Sequence, residues 1–72
     1  MYKVNEILRS KCSGELFKVV CVGPEKLKHI DDKLTTIREI TLERAEYDLN
    51  KFNIKTEYDY YLNIEFEKYK CD

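Results

Sequence analysis

The sequence predicts an α+β domain: a two-layer sandwich with a three-stranded, mostly antiparallel sheet and one long or kinked helix, or two helices, on one face, in the order β-β-α-β. Three patterns predict it. The N-terminal residues read as a hairpin, the middle carries apolar residues at helical spacing, and the last quarter alternates with a period of two. With 72 residues, 43% hydrophobic and 38% charged, the chain suits a single domain over residues 1–72, close to the lower size at which a core holds without a disulfide or metal.

The first strand runs from Tyr2 to Arg9, with Tyr2, Val4 and Leu8 on one side and Lys3, Asn5 and Arg9 on the other. Glu6 and Ile7 interrupt the alternation. Ser10 to Gly14 is turn chemistry, small polar residues ending on a glycine that accepts positive φ. Residues 16–22 then read as a second strand rich in β-branched side chains. Pairing Ser10 with Glu15 sets Leu8 opposite Phe17 and Val4 opposite Cys21. One face of the hairpin then carries Val4, Leu8, Phe17, Val19 and Cys21. The reverse carries Lys3, Asn5, Ile7, Arg9, Leu16, Lys18, Val20 and Val22, and a slip of one residue would exchange the two sets.

Gly23 and Pro24 read as the end of the sheet segment and the start of a helix, since proline is tolerated at the first helical position. Leu27, Ile30, Leu34, Ile37, Leu42, Ala45, Leu49 and Phe52 fall within an arc of roughly 140° at helical pitch. That stripe favours a helix over about residues 24–52, some 40 Å long if unbroken. Thr36 and Glu39 have capping-box spacing, which admits a break into two helices. The final strand follows over residues 56–70, with Tyr58, Tyr60, Leu62, Ile64 and Phe66 facing the core. Its polar side bears Glu57, Asp59, Tyr61, Asn63, Glu65 and Glu67.

No apolar run approaches the ~18–20 residues of a membrane span. The N-terminal residues lack the pattern of a signal peptide, and three cysteines leave one unpaired by any disulfide scheme. A cytoplasmic protein with reduced thiols is the expectation. Cys12, Cys21, His29 and Cys71 are the residues of a zinc site on paper, but no pair shows short knuckle spacing, so no metal is expected. Cys21 reads instead as a small core residue. Glycine-rich phosphate loops, Ser-His-Asp sets and HExxH are absent from the sequence, so no enzyme, catalytic residue or cofactor is expected.

Charge is uneven. Residues 1–38 hold eight Lys/Arg against five Asp/Glu, and residues 39–72 hold five against nine. The acidic, tyrosine-bearing closing strand therefore suggests a partner-binding surface of Glu57, Asp59, Tyr61, Glu65, Glu67 and Tyr69, with carboxylates spaced to imitate a phosphate row. The protein then reads as a small non-enzymatic interaction module, an accessory or inhibitory protein of phage or mobile-element type. The alternative is a nucleic-acid-binding module using Lys3, Arg9, Lys11 and Lys18 on the hairpin. The apolar strip Ile7, Leu16, Val20 and Val22 suggests a homodimer that covers it.

Overall fold

Valine, isoleucine and threonine crowd residues 19–42, and they build strands there rather than a helix. The computed structural model describes residues 2–69, which form β1 (Ile7–Ser10), β2 (Leu16–Ile30), β3 (Lys33–Arg44), β4 (Ile54–Tyr58), the helix α1 (Asp59–Glu65) and β5 (Phe66–Lys68). The strands make one antiparallel sheet in the order β4-β3-β2-β1-β5. The expected three-stranded sheet under a long helix is thereby corrected. The sheet has five strands, and the helix has 7 residues and lies elsewhere in the chain.

The segment expected to be helical is mostly the β2–β3 hairpin. Ile30 pairs with Lys33 across a two-residue turn, in which Asp31 and Asp32 take φ of 51° and 64°. Left-handed conformation at both positions is a type I′ turn, and aspartate is one of the few side chains that tolerates it. Gly23 and Pro24 do not start a helix. They lie inside β2 at one of two register shifts against β3, between Val19 and Cys21 and between Val22 and Glu25. A bulge is one of the places where a strand accepts proline. A Cβ on Gly23 would come within 3.2 Å of the Glu39 carbonyl oxygen, so the close approach of the partner strand favours glycine there.

Bulges bend a strand. Past the two in β2, its far half leaves the main sheet with β3 as a two-stranded arm. At the other edge, β4 and β5 run in the same direction with three strands between them, about 19 Å apart in a flat sheet. Seven helical residues rise only about 10 Å, so the sheet must curl. It does: Lys55 Nζ on β4 lies 5.6 Å from the Phe66 ring centroid on β5. α1 packs on the inside of the curl, against β3, β4 and β5. Asp59 at its start accepts a hydrogen bond from the Arg38 amide by the arm, and Glu65 at its end accepts one from the Lys11 amide at the opposite end of the sheet.

The core occupies the concave side. Tyr2, Leu8, Phe17, Val19, Ile40, Leu42, Leu62 and Phe66 form it, with Val22 packed against it, and Phe17 meets Phe66 edge-on at 5.5 Å between centroids. The hairpin register matches the reading from sequence at Leu8 opposite Phe17 and at the Ser10–Glu15 bond. Past Val19 it departs. The bulge at Val20 turns Cys21 outward, so it is exposed and not a core residue, while Val22 turns in. Val4 is exposed too, because the first strand begins only at Ile7.

The expected closing strand is the second correction. It is strand, helix and strand in succession, and only Leu62 and Phe66 of its apolar series are fully buried, four residues apart as on a helix face. Replacing Leu62 with alanine is expected to cost about 2–5 kcal/mol in urea denaturation. Ile64→Ala should stay within about 0.5 kcal/mol. Similar losses at both positions would mean the period-two strand after all.

Tyr2 carries a second consequence. Its buried hydroxyl donates to Asn63 Oδ1 at 2.7 Å, tying the N-terminal segment to α1. Burial, then the carboxylates of Glu6 and Asp59, push the phenol above its ordinary 10.0. The folded state thus holds this proton more tightly than the unfolded chain. That stabilisation is complete below the unfolded value and is lost as pH rises through the folded one. Between about pH 9 and pH 11, wild type should lose more stability than Tyr2→Phe when both are followed by chemical denaturation. Parallel curves would refute the assignment.

Candidate functional site

At the end of the sheet opposite the arm, the β1–β2 turn, the β3–β4 loop and the start of β5 surround an open mouth. The loop, residues 45–53, is irregular but closely tied. Asn53 Oδ1 accepts from the Asp48 amide at 2.9 Å, and Asn53 Nδ2 donates to the carbonyls of Asp48 at 2.9 Å and Lys51 at 3.2 Å. Asp48 Oδ1 in turn accepts from the Asn50 amide at 2.9 Å. Asparagine and aspartate close turns of this kind through their short side chains. The Arg44 amide bonds the Asn53 carbonyl at 2.7 Å, and the Ala45 amide bonds the Leu16 carbonyl at 2.9 Å, so both β3 and β2 hold the loop's base.

This well-bonded backbone presents apolar side chains to water. Tyr47, Leu49, Phe52 and Ile54 are 75%, 86%, 91% and 65% exposed. They flank two clefts. One, of about 750 Å³, runs between the loop and residues 14–16; the other, of about 620 Å³, opens between Phe17, Phe52, Ile54 and Phe66.

Arg44 stands between the clefts. Its guanidinium pairs with Glu15, donates to the Phe52 carbonyl at 3.2 Å and lies 5.0 Å from the Phe17 ring centroid. Its Nε is buried with no hydrogen-bond partner among the described residues. Glu15 also takes Lys51 Nζ at 3.1 Å. The second cleft's lining thus bears three cations, Arg44, Lys51 and Lys55, against the single carboxylate of Glu15. Glu65, just outside it, reaches Lys55 at 4.0 Å.

The residues singled out from sequence do not share one surface. Glu57 is half-buried on β4, and Asp59 caps the Arg38 amide at 3.1 Å beside the arm. Tyr61 packs against Tyr58 and Tyr60, at 6.3 Å and 5.3 Å between centroids. Glu65 ends α1 near the mouth. Glu67 and Tyr69 sit beside β1, where Glu67 accepts from Arg9 at 2.8 Å and 2.6 Å and the guanidinium lies 5.9 Å from the Tyr69 ring. Arg9, expected on a rival basic surface, is therefore the partner of Glu67. Lys3, Lys11 and Lys18 are exposed, but Lys18 is flanked by Ile7 and Glu43 in the register. The strip Ile7, Leu16, Val20 and Val22 is divided, because Val22 packs on the core while the others are half-buried elsewhere.

Cys12 and Cys21 are free and exposed, His29 is exposed on the arm, and Cys71 lies outside the described residues. Among the described residues no three His, Cys, Asp or Glu side chains are grouped to hold a metal ion, and no helix is long and apolar enough to cross a membrane. Comparison with protein-family models, curated proteins and solved structures finds no match.

Asn53 is the latch of the loop. Asn53→Ala removes three hydrogen bonds and should cost about 1–3 kcal/mol locally. The measurement is amide exchange: the Asp48 amide should lose protection while Leu42 and Val19 keep theirs. Unchanged exchange at Asp48 would show that the latch does not hold the loop.

Proposed function

We propose that the protein is a small, non-enzymatic interaction module that engages a partner protein through the mouth of its curled sheet. The observation that carries this reading is the group of exposed apolar side chains at one loop, Tyr47, Leu49 and Phe52 within it and Ile54 at the start of β4, where the loop backbone is held in place. Large apolar side chains left in water at one end of a small domain cost free energy and suit a contact site. A loop of fixed shape also loses little conformational freedom when it binds. An accessory or inhibitory role, exerted by occupying a partner's surface, suits a chain of this size. Two exposed free thiols suit a reducing compartment.

The surface differs from the acidic strand expected from sequence, whose carboxylates are dispersed and largely engaged with groups of the same chain. Nucleic-acid binding receives less support, since Arg9 is neutralised by Glu67.

A photo-crosslinking residue at position 52, used in extracts of the native host, should yield a discrete adduct. Unlabelled wild-type protein should compete it away, and a folded Tyr47→Ser, Leu49→Ser, Phe52→Ser variant should not. The same crosslinker at position 21, on the outer face, should give no such adduct. Equal competition by wild type and the triple variant would overturn the proposal.

A further inference from the structure

We infer that the cleft between Phe17, Phe52 and Phe66 takes an extended, acidic and apolar segment of the partner, laid along the free edge of β4. This rests on the interaction reading above and names the chemistry of what is bound. Three observations carry it. First, β4 is an edge strand: β3 pairs with one side of it and no strand pairs with the other among the described residues. Such an edge is a template for an added strand, whose main-chain bonds supply affinity and whose alternate side chains supply selectivity.

Second, the start of that edge forms one wall of an apolar cleft. Ile54 and Lys55 line it together with Phe17, Phe52 and Phe66. Side chains on one face of an added strand, two residues apart, would therefore reach apolar surface.

Third, the charge around the cleft has a sign. Its lining holds three cations against Glu15. The cleft on the far side of the loop holds Arg44 and Lys51 against Glu15, Glu46 and Asp48, an excess of acid. Of the two clefts, the one with an excess of cations in its lining is the one on the side where β4 is open. Lys51 and Lys55 are about half exposed, so a carboxylate entering there meets them before it meets Glu15. Arg44 is more deeply set and anchors the wall.

The test uses the full chain and short labelled peptides, read by fluorescence anisotropy at low and moderate salt. A peptide alternating glutamate with leucine and phenylalanine should bind. A lysine counterpart, and a glutamate peptide with serine in place of the apolar residues, should bind about tenfold more weakly or less. The Lys51→Glu, Lys55→Glu variant, shown by circular dichroism to be folded, should reverse the preference toward the lysine peptide. Methylation of alternate backbone nitrogens, which removes strand donors, should weaken binding by about tenfold.

Equal binding of acidic and basic peptides, or a preference unmoved by the double variant, would overturn the charge assignment. Insensitivity to N-methylation in both registers would overturn strand addition. If no peptide binds while the crosslink at position 52 still forms and is competed, the interaction reading stands and this inference falls.

Discussion

The architecture depends on two register shifts between β2 and β3. Without them a strand of 15 residues would carry only the ordinary twist of a sheet along its whole length. Each shift adds a residue to β2, bends it and increases the local twist. The consequences reach both ends of the molecule. Toward one end the bend separates the arm from the main sheet; toward the other it brings β4 close enough to β5 for a seven-residue helix to join them. Leu62 of that helix then enters the core. Gly23 sits at one of the shifts, close against the Glu39 backbone, and Arg38 Nη1 donates to its carbonyl at 3.3 Å.

How much of this was legible in the sequence follows from where the bulges fall. Before Val19, where β1 and β2 pair regularly, the alternation of side chains predicts the register, with Leu8 facing Phe17. Beyond it, each added residue inverts inside and outside, so a strict period of two misplaces Cys21 and Val22. The helical stripe does not follow burial: Leu27 and Leu34, which belong to it, are exposed, while Ile40, which lies off it, is buried with Ile37 and Leu42. Two features of the sequence favour strands there: the density of β-branched residues from Thr35 to Thr41, and a pair of aspartates between two runs that pair. The closing segment shows the reverse confusion. Tyr58, Tyr60, Leu62, Ile64 and Phe66 alternate in sequence, but burial selects only Leu62 and Phe66 among them, which a helix spacing of four also explains.

The candidate site was harder to read, for a reason that lies in chemistry and not in pattern. Exposed leucine and phenylalanine are indistinguishable in sequence from buried ones, so Leu49 and Phe52 extend an apolar stripe that they do not belong to. What separates them is the polar company they keep. Asp48, Asn50 and Asn53 are poor helix-interior residues because their side chains compete for backbone groups, and here those side chains build the loop. Carboxylates misled in the opposite sense. A count of acids over residues 56–72 says nothing of Arg9, Lys55 and the Arg38 amide, which reach them from distant parts of the chain.

Arg44 joins the fold to the mouth. It closes β3, packs over a core phenylalanine, holds the loop through the Phe52 carbonyl and meets Glu15 from the neighbouring turn. In so small a domain, each apolar side chain left in water is one fewer for the core, and four are left on or beside a single loop. The arrangement keeps its shape because polar contacts, not apolar burial, order that loop. Stability and the proposed recognition therefore draw on different side chains. The core can hold the sheet while the mouth keeps an apolar surface that is already fixed in form, and a partner that covers it gains the burial without first having to order the loop.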